Sequence, residues 1–446
     1  MSGFPITLDT PARFTGPLPE AVDIAVIGGG IIGLLSAWAL AAEGKRVLVC
    51  EKGRIAGEQS GRNWGWIRQQ GRDLTELPMM VDALRLWAGL PEALRAAIGF
   101  RQTGITYLAH DEARMARFGQ WLDKARAHGV DSRLLSRREV EAMLPNAAGW
   151  VGGLHTPSDG RAEPFVTVPT LAAAAAEEGV TIRENCAVRR LDLAAGKVAG
   201  IVTEAGRVRC AQVVLAGGAW SSLFLRAHGV RLAQLSVLSP VFATEALPEI
   251  LPGAAGDEHF AIRRRDDGGY TLTPWSSHEF YIGPDAFRHF RAFLPQLLAD
   301  FSATRFRALA PPGYPDGWRT PRNWRADEVS PFERCRILNP TPGARMGARL
   351  QDRFAAAFPQ IGRPGLRAAW AGMIDATPDA LPVIDHTPIP GLILATGMSG
   401  HGFGIGPGVA QVVADLAQGR TPRHDLSAFA LARLAPGRRL APGTAI

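Results

Sequence analysis

The residues best suited to chemistry near the start of the chain form a glycine-rich turn. A short apolar run at 22–27 has β-rich composition, and the sequence Gly28-Gly29-Gly30-Ile31-Ile32-Gly33 follows it, before a segment with helical spacing. Gly28 permits a tight turn, Gly30 lets a phosphate approach the backbone, and Gly33 lets helix and strand pack closely. The pattern predicts a dinucleotide-binding strand-turn-helix.

Two neighbouring features extend this prediction. The helix starts with Ile31 and Ile32, and free N–H groups at a helix start attract a pyrophosphate. The run "KRVLVCE" reads as a second strand that ends at Glu51, about 20 residues further on, with Lys52 next. An acid at this point accepts hydrogen bonds from a ribose hydroxyl and disfavours a 2′-phosphate.

The stretch 57–73, "GEQSGRNWGWIRQQGRD", combines residue types that seldom share a loop. It holds Arg62, Arg68 and Arg72, two tryptophans at positions 64 and 66, and four glycines. Two tryptophans so close together would each expose a large apolar face in an ordinary polar loop. The combination suggests aromatic walls and guanidinium groups around a bound molecule.

Two further glycine turns belong to the same pattern. "RVRCAQVVLAGGAWSS" (207–222) and "GLILATGMSGHGFGIGPGVAQVVADLAQG" (391–419) each carry a short strand into a glycine-rich turn. Alone, each segment fits an ordinary strand-to-helix turn as well as it fits a binding site. Together with the first motif they indicate one composite site.

Composition and charge limit the other classes of function. The chain has 446 residues, enough for two domains, and a net charge of +7 from 49 basic and 42 acidic residues. The charges are interspersed, which disfavours nucleic acid as a partner. The densest run, Arg263-Arg264-Arg265, precedes Asp266-Asp267-Gly268-Gly269 and predicts a solvated hairpin end.

The chain ends, the apolar segment 21–42 and the cysteines bear on location. The first 20 residues lack the pattern of a secretory signal. Segment 21–42 is long and apolar enough to span a bilayer, but three successive glycines disfavour one continuous helix. The four cysteines form no Cys-x-x-Cys pair, so we expect reduced thiols, no metal site and a cytoplasmic protein without a transmembrane segment.

The chain resembles the D-amino-acid oxidase / sarcosine oxidase / glycine oxidase (DAO) family of FAD enzymes over roughly residues 20–430. The matching pieces are "DIAVIGGGIIGLLSAWALAAEGKRVLVCEK", "VVLAGGAWS", "WAGMIDATPDALPVID" (370–385) and "GMSGHGFGIGPG" (398–408). The resemblance implies an α/β, overall α+β, protein. A Rossmann-like FAD-binding domain is assembled from discontinuous segments, and a substrate domain has helices and a mainly antiparallel sheet.

The resemblance also implies the domain boundaries. The FAD-binding domain takes 21–76, 152–228 and 366–426, and the substrate domain takes 77–151 and 229–365. The ends are an N-terminal extension, 1–20, and a C-terminal tail, 427–446. Residues 1–20 and 430–446 are expected to be loosely held. The Pro-rich segment 311–343 has no assigned role.

The resemblance and the glycine motifs together predict the residues that contact FAD. Reduced flavin carries negative charge, so the donor-rich turn around His401 suits the ring, although a purely structural histidine remains an alternative. The predicted contacts are Gly28, Gly30, Ile31, Ile32, Gly33, Glu51, Lys52, Ser60, Arg62, Asn63, Val188, Ala216, Gly217, Trp220, Gly372, Gly400, His401, Gly402, Phe403 and Gly404.

Substrate contacts follow from the same resemblance. Arg68 in "WIRQ" matches the arginine that sarcosine oxidases keep for the substrate carboxylate, a group that a guanidinium grips through two hydrogen bonds. A structural role for Arg68 and core packing for the tryptophans are the alternatives. The predicted pocket residues are Trp64, Trp66, Trp275 and Ile374, and Tyr281 is a candidate catalytic residue.

The chain departs from sarcosine oxidases at three positions. Gly372 stands where those enzymes attach FAD to a cysteine, so noncovalent FAD is expected. Tyr281 and Gly404 stand where they use lysines, and no lysine follows Lys197. The lysine route to oxygen is therefore absent, and the electron acceptor is either oxygen or a quinone or other carrier.

The predicted function is FAD-dependent oxidation of a C–N bond in an amino acid or secondary amine. Hydride transfer to flavin N5 leaves an imine that water hydrolyses. The alternatives are an FAD-binding scaffold or tRNA-modifying protein of the same fold, and an NAD-dependent dehydrogenase.

Overall fold

The computed structural model describes residues 4–301, 304–438 and 440. Its strands are β1 (Ile24–Ile27), β2 (Val47–Cys50), β3 (Trp66–Ile67), β4 (Arg101–Gln102), β5 (Ile105–Ala109), β6 (Arg133–Ser136), β7 (Gly152–Thr156), β8 (Gly160–Arg161), β9 (Thr181–Arg183), β10 (Val188–Ala194), β11 (Lys197–Thr203), β12 (Gly206–Arg209), β13 (Gln212–Leu215), β14 (Leu235–Ala246), β15 (Ala254–Gly256), β16 (Phe260–Arg264), β17 (Gly269–Pro274), β18 (His278–Tyr281), β19 (Thr304–Arg307), β20 (Leu366–Ala376), β21 (Val383–His386) and β22 (Leu392–Thr396).

The α-helices are interspersed among these strands along the chain. They are α1 (Ile31–Ala42), α2 (Gln59–Arg62), α3 (Leu77–Ala88), α4 (Glu92–Ala97), α5 (Glu112–Ala125), α6 (Arg137–Met143), α7 (Pro164–Glu177), α8 (Ser221–Arg226), α9 (Pro284–Arg288), α10 (Phe290–Asp300), α11 (Pro331–Arg334), α12 (Ala344–Ala357) and α13 (Gly402–Ala417).

The first sheet has six strands in the order β21-β22-β13-β1-β2-β9. Strands β9, β2, β1, β13 and β22 run parallel, and β21 is antiparallel at the edge. The central strands are buried because helices cover the sheet, with α1 and α13 among the apolar elements of the core. The predicted Rossmann-like unit, assembled from distant segments, is confirmed.

The second sheet has ten strands in the order β19-β18-β14-β17-β16-β15-β5-β7-β6, with β20 paired to β14. All of its pairs are antiparallel except β15–β5 and β18–β19, as the prediction of a mainly antiparallel sheet requires. Two small three-stranded sheets, β10-β11-β12 and β3-β8-β4, complete the molecule.

Two strands of the second sheet lie in segments that our division assigns to the FAD-binding domain. They are β7, at the start of 152–228, and β20, at the start of 366–426. β20 pairs with β14 from Leu366 to Ala376 and so joins the two layers. The domain boundaries stay a prediction.

The three consecutive arginines at 263–265 do not form a solvated hairpin end, although the hairpin β16–β17 itself is present. Arg263 and Arg265 are buried. Arg263 Nη1 lies 2.8 Å from Glu163 Oε1, and Arg265 Nη2 lies 2.9 Å from Asp267 Oδ2. The expectation was wrong for these two residues because a partner 100 positions away neutralises the first, and a sequence pattern does not show such a pairing.

The chain ends are also held more firmly than expected. At the start, Phe4 packs on Trp370 with ring centroids 5.1 Å apart, and Ile6 is buried. At the other end, Arg433 Nε lies 2.8 Å from Asp379 Oδ2. The expectation of loose ends was wrong around Phe4, Ile6 and Arg433, while residues 1–3, 439 and 441–446 lie outside the described residues.

Segment 21–42 divides into β1, the glycine turn and α1, so it is not a membrane span. Among the described residues, no helix combines the length and apolar composition needed to cross a bilayer. The thiols of Cys50, Cys186, Cys210 and Cys335 are free, as expected.

Candidate active site

A cavity of about 390 Å³ opens at the carboxyl ends of the parallel strands β2, β1, β13 and β22. It extends from the first glycine turn to the start of α13 and the wall formed by β20. Ligands of open α/β sheets bind outside the carboxyl ends of the strands, where the chain turns toward its helices. The three predicted turns therefore meet at one place.

The first glycine turn has the geometry that its spacing predicts. Gly28 has φ +114°, and a Cβ there would lie 2.4 Å from the carbonyl oxygen of Ala216. A Cβ on Gly33 would lie 2.1 Å from Gly28 O, so α1 can pack this close only with glycine. Ser60 Oγ accepts the Ile31 N–H at 2.9 Å, which places a side chain from the 57–73 stretch at the start of α1.

Glu51 closes the other side of this turn. Its Oε2 accepts the Gly29 N–H at 2.8 Å and its Oε1 accepts the Gly53 N–H at 2.7 Å. Burial raises the pKa of this carboxyl. Because each carboxylate oxygen has a second lone pair, Glu51 can also accept from a ribose hydroxyl. The glycine cradle, the helix start and this acceptor fit FAD.

Lys52 lines the cavity but is already engaged. Its Nζ lies 2.7 Å from Glu58 Oε1 and 4.3 Å from the Trp220 ring centroid. The backbone carbonyls of Cys335 and Arg336 also accept from it. Lys52 therefore joins the cavity floor to the Pro-rich 311–343 segment.

The predicted cofactor residues divide into those in the cavity wall and two outside it, Gly33 and Gly404. Gly33 packs against the Gly28 carbonyl instead of facing the cavity. Residues in the wall include Ile32, Val188, Ala216, Gly217, Trp220, Gly372, Gly400, His401, Gly402 and Phe403. Gly404 is not in the wall; it lies inside α13 against α3, where its carbonyl accepts from Trp87 Nε1 at 2.9 Å. The expected contact of Gly404 was wrong because the first helical turn carries it away from the cavity.

Arg62 and Asn63 lie in the wall, but their polar groups contact protein. The Arg62 guanidinium donates to Gly57 O, Ile6 O, Ala371 O and Asn339 Oδ1. Asn63 Nδ2 donates to Ser60 O at 2.8 Å, and its Oδ1 accepts the Gly65 N–H at 2.7 Å. Both side chains brace the turn, so direct contacts with phosphate or flavin stay predictions.

Three tryptophans form one wall at the opposite end of the cavity from Glu51. The ring centroids of Trp64 and Trp66 are 5.6 Å apart, and Trp275 lies 6.1 Å from each. All three line the cavity together with Ile374. Since β16–β17 leads to Trp275, the aromatic wall joins the two layers, and it packs on core residues as well as facing the cavity.

Arg68 lies beside this wall and lines the same cavity. Its guanidinium carbon is 5.6 Å from the centroid of the Tyr107 ring, and Nη1 donates to the carbonyl of Gln70. Among the described residues, no carboxylate forms an ion pair with it. Asp159 Oδ1 accepts the Gln69 N–H at 2.7 Å and so holds the turn after β3 in place.

His401 lines the cavity at the start of α13 and is linked to a buried acid. Its Nδ1 lies 2.9 Å from Glu76 Oε2. Burial, and the positive charge of Arg72, lower the pKa of His401, so its neutral form is favoured. The structure thus shows both a cavity residue and a hydrogen-bonded structural role.

Tyr281 does not line the cavity. It is at the end of β18, where alternate side chains point to opposite faces, and its ring lies 5.5 Å from that of Tyr314. His278, three residues earlier, is in the wall instead. The expectation that Tyr281 reaches the reaction centre was wrong because strand alternation turns it toward the 311–343 segment.

Sequence reasoning missed several charged cavity residues, among them Arg72 and Asp375, as well as Arg54 and Glu58. Asp375 Oδ2 accepts the Gly397 N–H at 2.8 Å, and burial raises its pKa to about 6. Arg72 and Asp375 lie in motifs that were already prominent, 57–73 and 370–385, but their direction depends on tertiary packing. The 311–343 segment, through Phe332, also supplies part of the wall.

Comparison with known proteins identifies the family of this chain. Residues 23–416 match the DAO family, described as FAD dependent oxidoreductase, and the chain belongs to that family. Sarcosine oxidase subunit beta of Rhizobium meliloti (strain 1021) is 27% identical over 435 residues, which cover 95% of this chain and 91% of that protein.

Comparison with solved structures agrees with this family assignment. L-amino acid deaminase from Proteus myxofaciens in complex with anthranilate superimposes with a TM-score of 0.89 at 30% identity, over 95% of this chain and 97% of that one. Glycine oxidase from Bacillus cereus ATCC 14579 has a TM-score of 0.70 at 23% identity, over 90% of this chain and 96% of that one, and shows the shared fold.

The protein is therefore an FAD-dependent oxidoreductase. The comparisons support FAD-dependent oxidation of an amine or amino acid. They do not favour a tRNA-modifying or scaffold protein, or an NAD-dependent dehydrogenase.

Proposed function

We propose that this protein oxidises the C–N bond of an amino or imino acid whose carboxylate is bound by Arg68. The observation that carries the proposal is the position of the Arg68 guanidinium. It lies in the cavity wall beside three tryptophans, and no acidic side chain of the described residues forms an ion pair with it. A guanidinium in such a place is suited to a carboxylate ligand.

The residues of this chain would orient the substrate. Arg68 holds the carboxylate, and the walls formed by Trp64 and Trp275 exclude water from the apolar part. Ile374 and Gly372 of β20 line the same cavity. We therefore expect the substrate α-carbon to lie between this strand and the start of α13. FAD, when bound there, would supply the hydride-accepting chemistry, and the imine product would be hydrolysed by water.

Other properties of the site extend the proposal. FAD is bound noncovalently, because Gly372 provides no sulfur for attachment. The only lysine in the described cavity wall is Lys52, which pairs with Glu58, so the electron acceptor is a quinone or other carrier, or oxygen by a route without lysine. The four free thiols favour a reducing compartment such as the cytoplasm, and nucleic acid is not a partner.

The first experiment is anaerobic titration of the purified holoprotein, followed by its visible spectrum. The compounds are used in matched pairs that differ only in the carboxylate. Either enantiomer of phenylalanine is compared with phenethylamine, and proline is compared with pyrrolidine. We expect only the acids to bleach the flavin at low concentration. Bleaching by the amines at equal concentration would contradict a carboxylate-binding site, and admission of air then shows whether oxygen restores the colour.

The Arg68→Ala change tests the residue itself. Loss of a charge-assisted, two-pronged hydrogen bond is expected to raise the KM for the amino acid roughly 10- to 100-fold. Arg68→Lys is expected to recover only part of this, because the planar fork is lost. Arg85→Ala, at an exposed arginine of α3, is the control. An unchanged KM in Arg68→Ala would remove Arg68 from the proposal.

A further inference from the structure

A second arginine of the cavity wall, Arg72, has a buried and unpaired guanidinium. Only 3% of its surface is exposed, yet it lines the cavity. Its Nε donates to the Arg68 carbonyl at 3.2 Å. Within the described residues its terminal nitrogens have no hydrogen-bond partner, and Nη1 is fully enclosed.

Other buried arginines of this protein differ in this respect. Arg263, Arg265 and Arg433 each form an ion pair with a carboxylate, at 2.8, 2.9 and 2.8 Å respectively. A buried charge without a partner is costly, and a buried polar group without a hydrogen bond calls for an explanation. Arg72 therefore has the character of a binding group and not of a structural ion pair.

The two arginines are presented by one short turn. Arg68 and Arg72 are four residues apart, and the Arg72 N–H donates to Gln69 O at 3.2 Å. Trp121 Nε1 donates to the Arg72 carbonyl at 2.8 Å, which fixes the far end of the turn. Burial, and the like charge of Arg68, lower the pKa of Arg72 to about 10, so it remains a cation at neutral pH.

Among the described residues, the nearby acids contact other groups and form no ion pair with Arg72. One oxygen of Glu76 pairs with His401, and Asp159 accepts backbone N–H groups of Gln69 and Gln70. Gln70 Nε2 is a further buried donor without a partner in the described part of the chain. Glu76 Oε1 is also a buried atom without a hydrogen-bond partner in the described part of the chain, so neither acid satisfies the Arg72 guanidinium. The donors in the cavity wall that an anionic ligand would complement are those of Arg68 and Arg72.

We propose that Arg72 is a second carboxylate-binding residue, and that Arg68 and Arg72 hold the same substrate carboxylate between them. This rests on the proposed function for the identity of the carboxylate as part of an amino acid. It replaces a single guanidinium anchor by a two-arginine subsite. Arg72 thereby becomes a determinant of specificity for acids over amines.

The test uses binding to the holoprotein, measured by calorimetry, so that no turnover is needed. The probes are anthranilate and its counterpart without a carboxylate, aniline, with benzoate and benzamide as a second pair. We expect the wild type to prefer the acids. Arg72→Gln is expected to weaken the binding of the acids roughly 10- to 100-fold and to leave aniline and benzamide unchanged.

A double-mutant cycle separates one shared carboxylate from two separate contacts. If both arginines bind the same group, the double variant Arg68→Ala/Arg72→Gln loses less affinity for anthranilate than the product of the two single-variant losses. Additive losses would overturn the shared subsite. Arg72→Lys, which keeps the charge, guards against a folding failure of Arg72→Gln, and is expected to bind anthranilate with intermediate affinity.

Several outcomes would overturn the inference. These are equal binding of acids and uncharged analogues by the wild type, unchanged anthranilate affinity in a folded Arg72→Gln protein, or loss of FAD in the Arg72 variants, which would make Arg72 a cofactor residue. Arg85→Gln controls for the change in net charge. If acids bind through Arg72 but no amino acid bleaches the flavin, the proposed function fails and this inference stands.

Discussion

Glu51 shows how one side chain can shape a whole binding turn. It accepts N–H groups from Gly29, before the helix, and Gly53, after the strand. The carboxylate therefore holds together the two backbone segments that border this end of the cavity. Its observed contribution is to preorganise the backbone, and contact with the ribose of FAD stays a prediction.

Glu51→Ala is expected to weaken FAD binding roughly 10- to 100-fold, because two N–H groups lose their acceptor and the ribose loses its partner. Glu51→Gln keeps one acceptor oxygen and is expected to bind FAD with an affinity between those of the wild type and Glu51→Ala. Titration of the apoprotein with FAD, followed by quenching of flavin fluorescence, measures both. Glu178→Ala, whose side chain accepts from Trp38 at the surface, is the control. Retention of wild-type affinity in Glu51→Ala would contradict this role.

At the scale of elements, the second sheet contains an ion pair where two parallel strands end. His110 follows β5 and Asp257 follows β15, and His110 Nε2 lies 2.9 Å from Asp257 Oδ2. The other ring nitrogen, Nδ1, lies 2.6 Å from Gly149 O. The hydrogen bond to Asp257 raises the pKa of His110 to about 8. Side-chain atoms of Glu258 and His259 lie within 4.8 Å of a His110 ring nitrogen.

This pair predicts a pH-dependent stability. The folded pKa is raised above its ordinary value, so the stabilisation is complete below about pH 6.5 and is lost as the pH rises through about 8. His110→Gln is expected to lower the free energy of unfolding by about 1–2 kcal/mol at pH 6 and by much less at pH 9. Thermal melts at both pH values test this, with the exposed His386→Gln as control. An equal loss of unfolding free energy at pH 6 and pH 9 would contradict a stabilising ion pair between His110 and Asp257.

At the scale of the molecule, the two chain ends fasten segments that are distant in sequence. The start of the chain supplies Ile6 O to the buried Arg62 guanidinium. The end supplies Arg433 to Asp379, 54 positions earlier in the turn that follows β20, and both of these side chains are buried. The ends therefore stabilise the junction between the two sheets.

Arg433→Ala is expected to lower the free energy of unfolding by about 3–5 kcal/mol, because it leaves the Asp379 carboxylate buried without its partner. Denaturant unfolding of the holoprotein measures the change. Arg438→Ala, at an exposed residue of the same end, is expected to have no effect. A loss no greater than that of Arg438→Ala would mean that the tail is not fastened by this pair.

The cofactor half of the site was predictable because its signals are local. Gly28, Gly33 and Glu51 follow from backbone conformation, close packing and strand length, which depend on residues near them in the sequence. The same holds for the short strands that end in glycine turns, since several such strands in one α/β sheet bring their carboxyl ends to one edge.

The sequence by itself thus determined the FAD-binding class, the composite nature of the site and the aromatic stretch that lines it. Only the tertiary structure decided which charged side chains face the cavity. Arg72 lines the cavity without an ion-pair partner among the described residues, whereas Tyr281 packs on Tyr314 outside the cavity. Arg263 forms an ion pair with Glu163 in the interior. The reason is physical: glycine patterns act within a few residues, whereas the partner of a charge is chosen by packing between distant segments.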